Sequence, residues 1–195
     1  MKTVIVRPER CVGCWQCRVA CAVEHSRSKN LLGAMAEPVI PKARLRIFPG
    51  RLNLAFPNKC RHCDPAPCQQ VCIAGAISRD PTRGVIDIAP ERCINCGMCA
   101  MACPFGVLAY APVWQVPEKR AVAVKCDQCP EREQAGRLPA CVEACKVGAL
   151  IYGDWETAQV EKGRLVAQAV FSGLLAQPEH APPMPHTIRL WRQWG

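Results

Sequence analysis

Residues 93–104 read CINCGMCAMACP: three cysteines separated by two residues each, a fourth after three more, and Pro104 closing the run. Working outward, the same pattern recurs three times. Cys11, Cys14, Cys17 and Cys21 repeat it without the closing proline. Cys60, Cys63, Cys68 and Cys72 widen the middle gap to four residues, and Cys126, Cys129, Cys141 and Cys145 widen it to eleven. Every group begins C-x2-C and ends C-x3-C. The chain spends 16 of its 195 residues on thiols, several times the ordinary frequency. Of its 50% apolar residues about 42% remain once cysteine is set aside, and aromatics are only 6%, so the large side chains that dominate burial energy are scarce. Something besides side-chain packing must help to hold the fold.

Three chemistries use cysteine at this density: disulfides, zinc and iron–sulfur clusters. Cysteines two residues apart bridge one another only in strained or redox-active loops. A disulfide framework also requires an oxidising compartment, and the opening stretch MKTVIVRPERC has no apolar h-region, so no secretory signal is expected. Zinc motifs place their C-x2-C pairs far apart. The spacing here is that of the bacterial ferredoxin run, in which three thiolates hold one [4Fe–4S] cluster and the fourth reaches the other cluster of a pair. Two residues between thiolates let a tight turn wrap one cube with its amide N–H groups inward. The cysteine four residues on, expected at the start of a helix, faces the neighbouring cluster. Four [4Fe–4S] clusters are the expectation.

Charge gives an independent check. The formal net charge of +9 taken alone would suggest nucleic acid or an acidic surface, but four oxidised clusters with thiolate ligands bring roughly −8. Arg18, Lys59, Arg61, Arg92, Lys125 and Lys146 lie near the cysteines and read as compensation for buried cluster charge, or else as ordinary solvated surface. No aromatic-interleaved basic stripe accompanies them, so nucleic-acid binding is not expected. With no run of about 18 apolar residues, the chain is not expected to be integral to a membrane, and the cytoplasm is the default compartment.

An internal repeat organises the chain. Short apolar segments leave the cysteine groups at CIAGAISRD, CPFGVLAYA and CKVGALIYGD, and others enter at TVIVR, GVIDIAPER and AVAVK; these read as strands. Asp80, Pro81 and Gly84 between two apolar runs predict a hairpin. The fold class is α+β, with two bacterial-ferredoxin-like βαβ modules in residues 1–153. Residues 22–59 and 104–125, punctuated by Pro and Gly, are expected to loop over the surface, with LRIF (45–48) their clearest strand. Residues 154–195 differ: Asp154 is placed to cap a helix carrying Leu165, Val166, Ala169, Val170 and Leu174 at helical spacing. A proline-punctuated tail with Trp191 and Trp194 follows. That segment is expected to pack back on the chain, or to serve as an interface to a catalytic subunit or a second copy that would extend the cluster row.

With these motifs in hand, the chain resembles the four-cluster electron-transfer subunits of the dimethyl sulfoxide reductase iron–sulfur subunit family, which accompany molybdenum and tungsten pterin enzymes, hydrogenases and carbon monoxide dehydrogenase. The resemblance covers residues 3–153. It is carried above all by KCDQCPEREQAGRLPACVEACKVGAL (125–150) and by Pro67 before Cys68, while CAVEHSRSKNL (21–31) resembles the small soluble members associated with carbon monoxide dehydrogenase and tungsten aldehyde oxidoreductases. The resemblance implies that the first group pairs with the fourth and the second with the third. Cys11, Cys14, Cys17 and Cys145 would hold one cluster, and Cys126, Cys129, Cys141 and Cys21 the next. Cys93, Cys96, Cys99 and Cys72 would follow, with Cys60, Cys63, Cys68 and Cys103 completing the row. Ala22, Ile73 and Lys146 stand where relatives often have proline after the last cysteine.

The implied function is electron conduction between a catalytic oxidoreductase subunit and a soluble or membrane donor or acceptor. Every implied cluster has its full set of thiolates, whereas a catalytic metal keeps an open position. No P-loop or dinucleotide fingerprint is present. No catalytic residue is therefore expected, and the chain reads as an electron-transfer subunit and not as an enzyme. A self-contained iron–sulfur enzyme and a zinc scaffold for nucleic acid are the alternatives. His62 reads as a solvated side chain or a donor to its cluster, Trp15 as a shield against water or else an electron relay, and His25 as a ligand only if a thiolate were lacking. His180 and His186 read as exposed.

Overall fold

Each cysteine group interrupts the chain before a strand or helix can lengthen, so short elements alternate. The structure, a computed structural model, describes residues 2–50, 55–116 and 120–175. In order, β1 (Lys2–Val6) passes through a 3₁₀ turn at Pro8–Arg10 into the first group, and α1 (Gln16–Glu24) and α2 (Leu31–Ala36) follow. Next come β2 (Arg46–Pro49), β3 (Ala55–Asn58), α3 (Pro67–Gln70), β4 (Ile77–Arg79) and β5 (Ile86–Ile88). A second 3₁₀ turn at Pro90–Arg92 then enters the third group. The remainder is α4 (Met98–Ala102), β6 (Ala109–Pro112), β7 (Ala121–Val124), α5 (Pro130–Gln134), α6 (Ala140–Glu143), β8 (Leu150–Asp154) and α7 (Trp155–Leu175). The class is α+β. Pro-Glu-Arg-Cys occurs at 8–11 and again at 90–93 with the same 3₁₀ turn each time, because proline fixes the φ that such a turn begins with.

The strands form two-stranded ribbons pairing β1 with β8, β2 with β3, β4 with β5 and β6 with β7. The last three are antiparallel, with Arg46 opposite Asn58, Ile77 opposite Ile88 and Ala109 opposite Val124. The hairpin expected at Asp80–Gly84 is present. Asp80 Oδ1 accepts from the N–H of Thr82 (2.8 Å) and of Arg83 (3.1 Å), and Gly84 takes a φ of +65° to close the turn, which is how an Asx turn replaces a backbone one.

Two cores form around the cysteines. One gathers Ile77, Ile86, Leu108, Val122 and Val124 with Cys93 and Cys99, and Cys68, Cys72 and Cys103 pack against it. The other gathers Val4, Leu45, Ile47 and Leu150 with Cys11, Cys17, Cys21 and Cys141, with Cys145 against it. α1 packs on α6, and α3 on α4. The described parts of residues 22–59 and 104–125 do not merely loop over the surface. They contribute α2 and the ribbons β2–β3 and β6–β7, and Leu45, Ile47, Val122 and Ala123 are buried. A chain short of large side chains uses its β-branched insert residues to fill the space that the cysteine turns leave. The helices also differ from expectation: they begin at or beside the third cysteine, as in α1 and α4, and the fourth lies near the helix end or beyond it.

The chain divides into two compact units, Met1–Gly153 and Asp154–Gly195. In the second, Asp154 Oδ2 accepts from the N–H of Glu156 at 3.1 Å and of Thr157 at 3.4 Å, capping α7 as expected. Leu165, Val166 and Val170 on this helix are exposed. Residues 176–195, with His180, His186, Trp191 and Trp194, lie outside the described residues.

One buried cation ties α1 to α6. Arg132, 7% exposed, donates to Glu24 Oε2 at 3.0 Å, to the Leu138 carbonyl at 2.7 Å and to Glu143. Burial pushes the Glu24 carboxyl up, but hydrogen bonds from Arg132 and Lys29 outweigh it and hold the group below its ordinary range. The tie therefore contributes fully above the unfolded value near pH ~4.3 and is lost as pH falls through the lower folded value. Arg132→Met leaves the partly buried Glu24 carboxylate to Lys29 alone and should cost about 2 kcal/mol in urea unfolding of the intact protein near neutrality, a deficit that narrows as pH drops below ~4. The exposed Arg137→Met should stay within about 0.5 kcal/mol.

Candidate metal centres

The residue before the second cysteine is left-handed in all four groups: Gly13 (φ +68°), His62 (+52°), Asn95 (+59°) and Gln128 (+63°). Only glycine takes this conformation freely, with Asn and His next. Gln128 is held there by burial and by its Nε2 donating to Thr3 Oγ1 at 3.2 Å. Alternation between right- and left-handed residues turns successive N–H groups to one side and makes a concavity for anions. Further N–H groups reach the sulfurs directly. Arg44 donates to Cys21 Sγ (3.2 Å), Ala76 to Cys72 (3.2 Å), and His62, Ala123 and Leu150 to Cys60, Cys93 and Cys145 (3.4 Å each). Tyr110 Oη lies 3.3 Å from Cys99 Sγ.

Two cavities are each lined by four cysteines drawn from two groups. Cys21, Cys126, Cys129 and Cys141 line one, with Lys59, Asp127 and Gln128; Cys72, Cys93, Cys96 and Cys99 line the other, with Tyr110. Seven of the other eight cysteines converge in a similar manner. Cys17 faces Cys145, Cys11 and Cys14, and Cys68 faces Cys60 and Cys103. Such convergence is costly for bare sulfur. Burial and then neighbouring sulfurs push the Cys17 thiol up to about 11; burial and the nearby Asp127 and Cys126 push Cys129 up to about 12. Cys141, among Cys126, Cys21, Cys129 and Cys17, is raised well above its usual value. A cationic core at each meeting point reverses that logic, because a coordinating thiol is deprotonated outright. Largely enclosed quartets with N–H donors on their sulfurs fit an iron–sulfur cube on chemical grounds.

Contacts between the sets give their order. Cys141 faces Cys17, Cys126 faces Cys60, and Cys68 faces Cys99. The Cys60 set therefore adjoins the Cys126 set, and the Cys93 set stands at the far end. This inverts the last two members of the order that the resemblance implied. The physical reason is the course of the chain after β3, which ends at Asn58 and leads directly into Lys59 and Cys60 against Cys126.

Side chains around the cysteines correct other expectations. His62 is not solvated: it is 3% exposed, and its Nδ1 accepts the Ile86 N–H at 3.1 Å. The ring proton is thereby placed on Nε2, which has no partner among the described residues. Burial, then the charges of Lys125 and Lys59, push its pKa down to about 2. Trp15 is half exposed, with the Arg18 guanidinium 4.7 Å from its ring centre, so it is not a buried shield. His25 Nδ1 lies 2.7 Å from the Cys21 carbonyl and Nε2 3.1 Å from Asp127 Oδ1. His25, Asp127 and Cys129 converge within 4.8 Å, but Asp127 is already paired with Arg44 and His25. Of the six basic residues near the cysteines, Lys59 and Lys125 are buried while Arg92 and Lys146 are exposed. All four adjoin a cysteine in sequence, which gave no sign of the difference.

A 4Fe-4S dicluster domain model matches residues 52–155. The electron transport protein HydN of Escherichia coli K12 is 37% identical over 176 residues, covering 84% of this chain and 96% of its own. NrfC of the same strain is 36% identical over 159 residues, covering 81% of this chain and 67% of its own. The putative electron transport protein YsaA is 37% identical over 167 residues, at 86% and 98% coverage. The chain belongs to the 4Fe-4S dicluster domain family.

Tyr110→Phe removes the hydroxyl beside Cys99 without disturbing the β6–β7 ribbon. Donors to cluster sulfurs help to set potential, so one of the protein's redox transitions should move to lower potential in a titration followed by paramagnetic resonance, the others holding still.

Proposed function

We propose that the chain is an electron-transfer subunit whose sixteen cysteines hold four [4Fe–4S] clusters. Cys11, Cys14, Cys17 and Cys145 would bind the first, Cys21, Cys126, Cys129 and Cys141 the second, Cys60, Cys63, Cys68 and Cys103 the third, and Cys72, Cys93, Cys96 and Cys99 the fourth. Residues 1–153 form two interleaved ferredoxin-like modules on this reading, and 154–195 serve packing or an interface. The observation that carries it is the pair of cavities lined by four cysteines each, every quartet drawn from two groups. When bound, such clusters supply one-electron redox chemistry with potentials tuned by hydrogen bonds, charge and exposure.

The chain's own residues supply insulation, sulfur hydrogen bonds and two outlets. The two exposed cysteines, Cys14 and Cys96, belong to the first and the last set of the row. Val12 and Trp15 beside one, and Ile94 and Met98 beside the other, are exposed apolar neighbours of the kind a docking partner covers. The relatives named for electron transport support an accessory role in an oxidoreductase system. The partner would be a catalytic oxidoreductase subunit: a tungsten or molybdenum pterin aldehyde or formate enzyme, a carbon monoxide dehydrogenase or a hydrogenase. No helix among the described residues is long and apolar enough to cross a membrane.

Protein purified without oxygen should be brown, carry about sixteen irons and as many acid-labile sulfides per chain, and exchange electrons with viologen dyes while converting no substrate alone. Zinc in place of iron, or turnover of a substrate by the isolated chain, would refute the reading.

A further inference from the structure

Lys59 is buried where the two halves of the row meet. Its side chain is 5% exposed and lines the cavity of Cys21, Cys126, Cys129 and Cys141, while its backbone immediately precedes Cys60. The ammonium lies 3.4 Å from Thr3 Oγ1 and, among the described residues, forms no ion pair with a carboxylate. The opposite charges it faces are sulfurs of both middle sets, Cys126, Cys60 and Cys141, against the like charge of Arg61. Lys125 is equally buried, and its charge also reaches Cys68, but its ammonium is hydrogen-bonded to the Ile86 and Cys126 carbonyls, whereas Lys59 has no carbonyl partner among the described residues. An unpaired buried ammonium is expensive, so Lys59 needs a counter-charge; Asp127, which lines the same cavity, is already paired with Arg44 and His25, and the two cysteine sets supply one.

We propose that Lys59 is the charge-setting residue of the junction, a fixed cation shared by the Cys126 and Cys60 sets that raises the redox potentials of both and keeps them matched. The inference rests on the four-cluster reading. A cation facing both sites favours the electron on either one. When one electron leaves the first site and enters the second, the total charge facing Lys59 is unchanged, so the ammonium adds little bias to the crossing. A cation facing one site alone would trap the electron there.

The test is redox titration of the holoprotein, monitored by paramagnetic resonance, for wild type, Lys59→Met, Lys59→Arg and Lys146→Met. Lys146 is an exposed cation next to Cys145 and controls for charge without burial. Lys59→Met should lower two of the four potentials together, each by at least a tenfold change in the reduced-to-oxidised ratio, which is about 59 mV for a one-electron couple. Neither should be the transition that Tyr110→Phe moves. Lys59→Arg should restore both, and Lys146→Met should change neither. Unchanged potentials in Lys59→Met, a shift of one transition only, or an equal shift of all four would overturn the proposal. If Lys59→Met and Lys59→Gln both lose iron while Lys59→Arg keeps four clusters at wild-type potentials, the requirement for charge stands. Iron loss in Lys59→Arg as well would reduce Lys59 to a packing role and overturn it. Wild-type protein that lacks about sixteen irons would sink the four-cluster reading instead, so the two failures are distinguishable.

Discussion

Four sulfurs brought to one buried point are unstable company unless something positive sits among them. As thiolates they repel each other in a medium that screens poorly; as thiols they bring weak donors into an interior that gives them little in return. The rest of the fold is arranged around that constraint. Left-handed residues recur at the same place in each turn, ribbon backbones donate to individual sulfurs, and small β-branched side chains close the gaps between turns. Helices and strands stay short because they are spacers between such points.

The cysteine spacing made the class of the fold and the chemistry of its donors legible, since a local wrap around one cube demands that run and zinc or disulfides do not. The Asp80–Gly84 hairpin and the Asp154 cap were legible for the same reason: both are local devices written in adjacent residues. What lay beyond reach was long-range. Arg132 and Glu24 are more than a hundred positions apart, and nothing at either position announces the other. Lys59 and Lys146 each adjoin a cysteine, yet one is buried and the other exposed, because burial is decided by which ribbon arrives on top.

The insertions illustrate the same limit. Prolines and glycines at 37–50 and 104–113 signal turns correctly, but composition says nothing about the face a turn presents. β2 and β7 carry Ile47 and Val122 into the two cores, and the segment that follows β3 brings Cys60 against Cys126. The approach of Cys60 to Cys126 follows from where the segment after that strand runs, which the cysteine motifs themselves do not state.

The pairing of β1 with β8 and of α1 with α6 has a consequence for biosynthesis. The core around Ile86 and Val122 draws on one continuous stretch, 66–124, and is complete in the nascent chain while later residues are still being made. The core around Val4 and Leu150 joins the two ends of residues 1–153. Its N-terminal cysteines must wait, reduced and unpartnered, for nearly the whole polypeptide to emerge from the ribosome, which makes that half the one most exposed to premature oxidation.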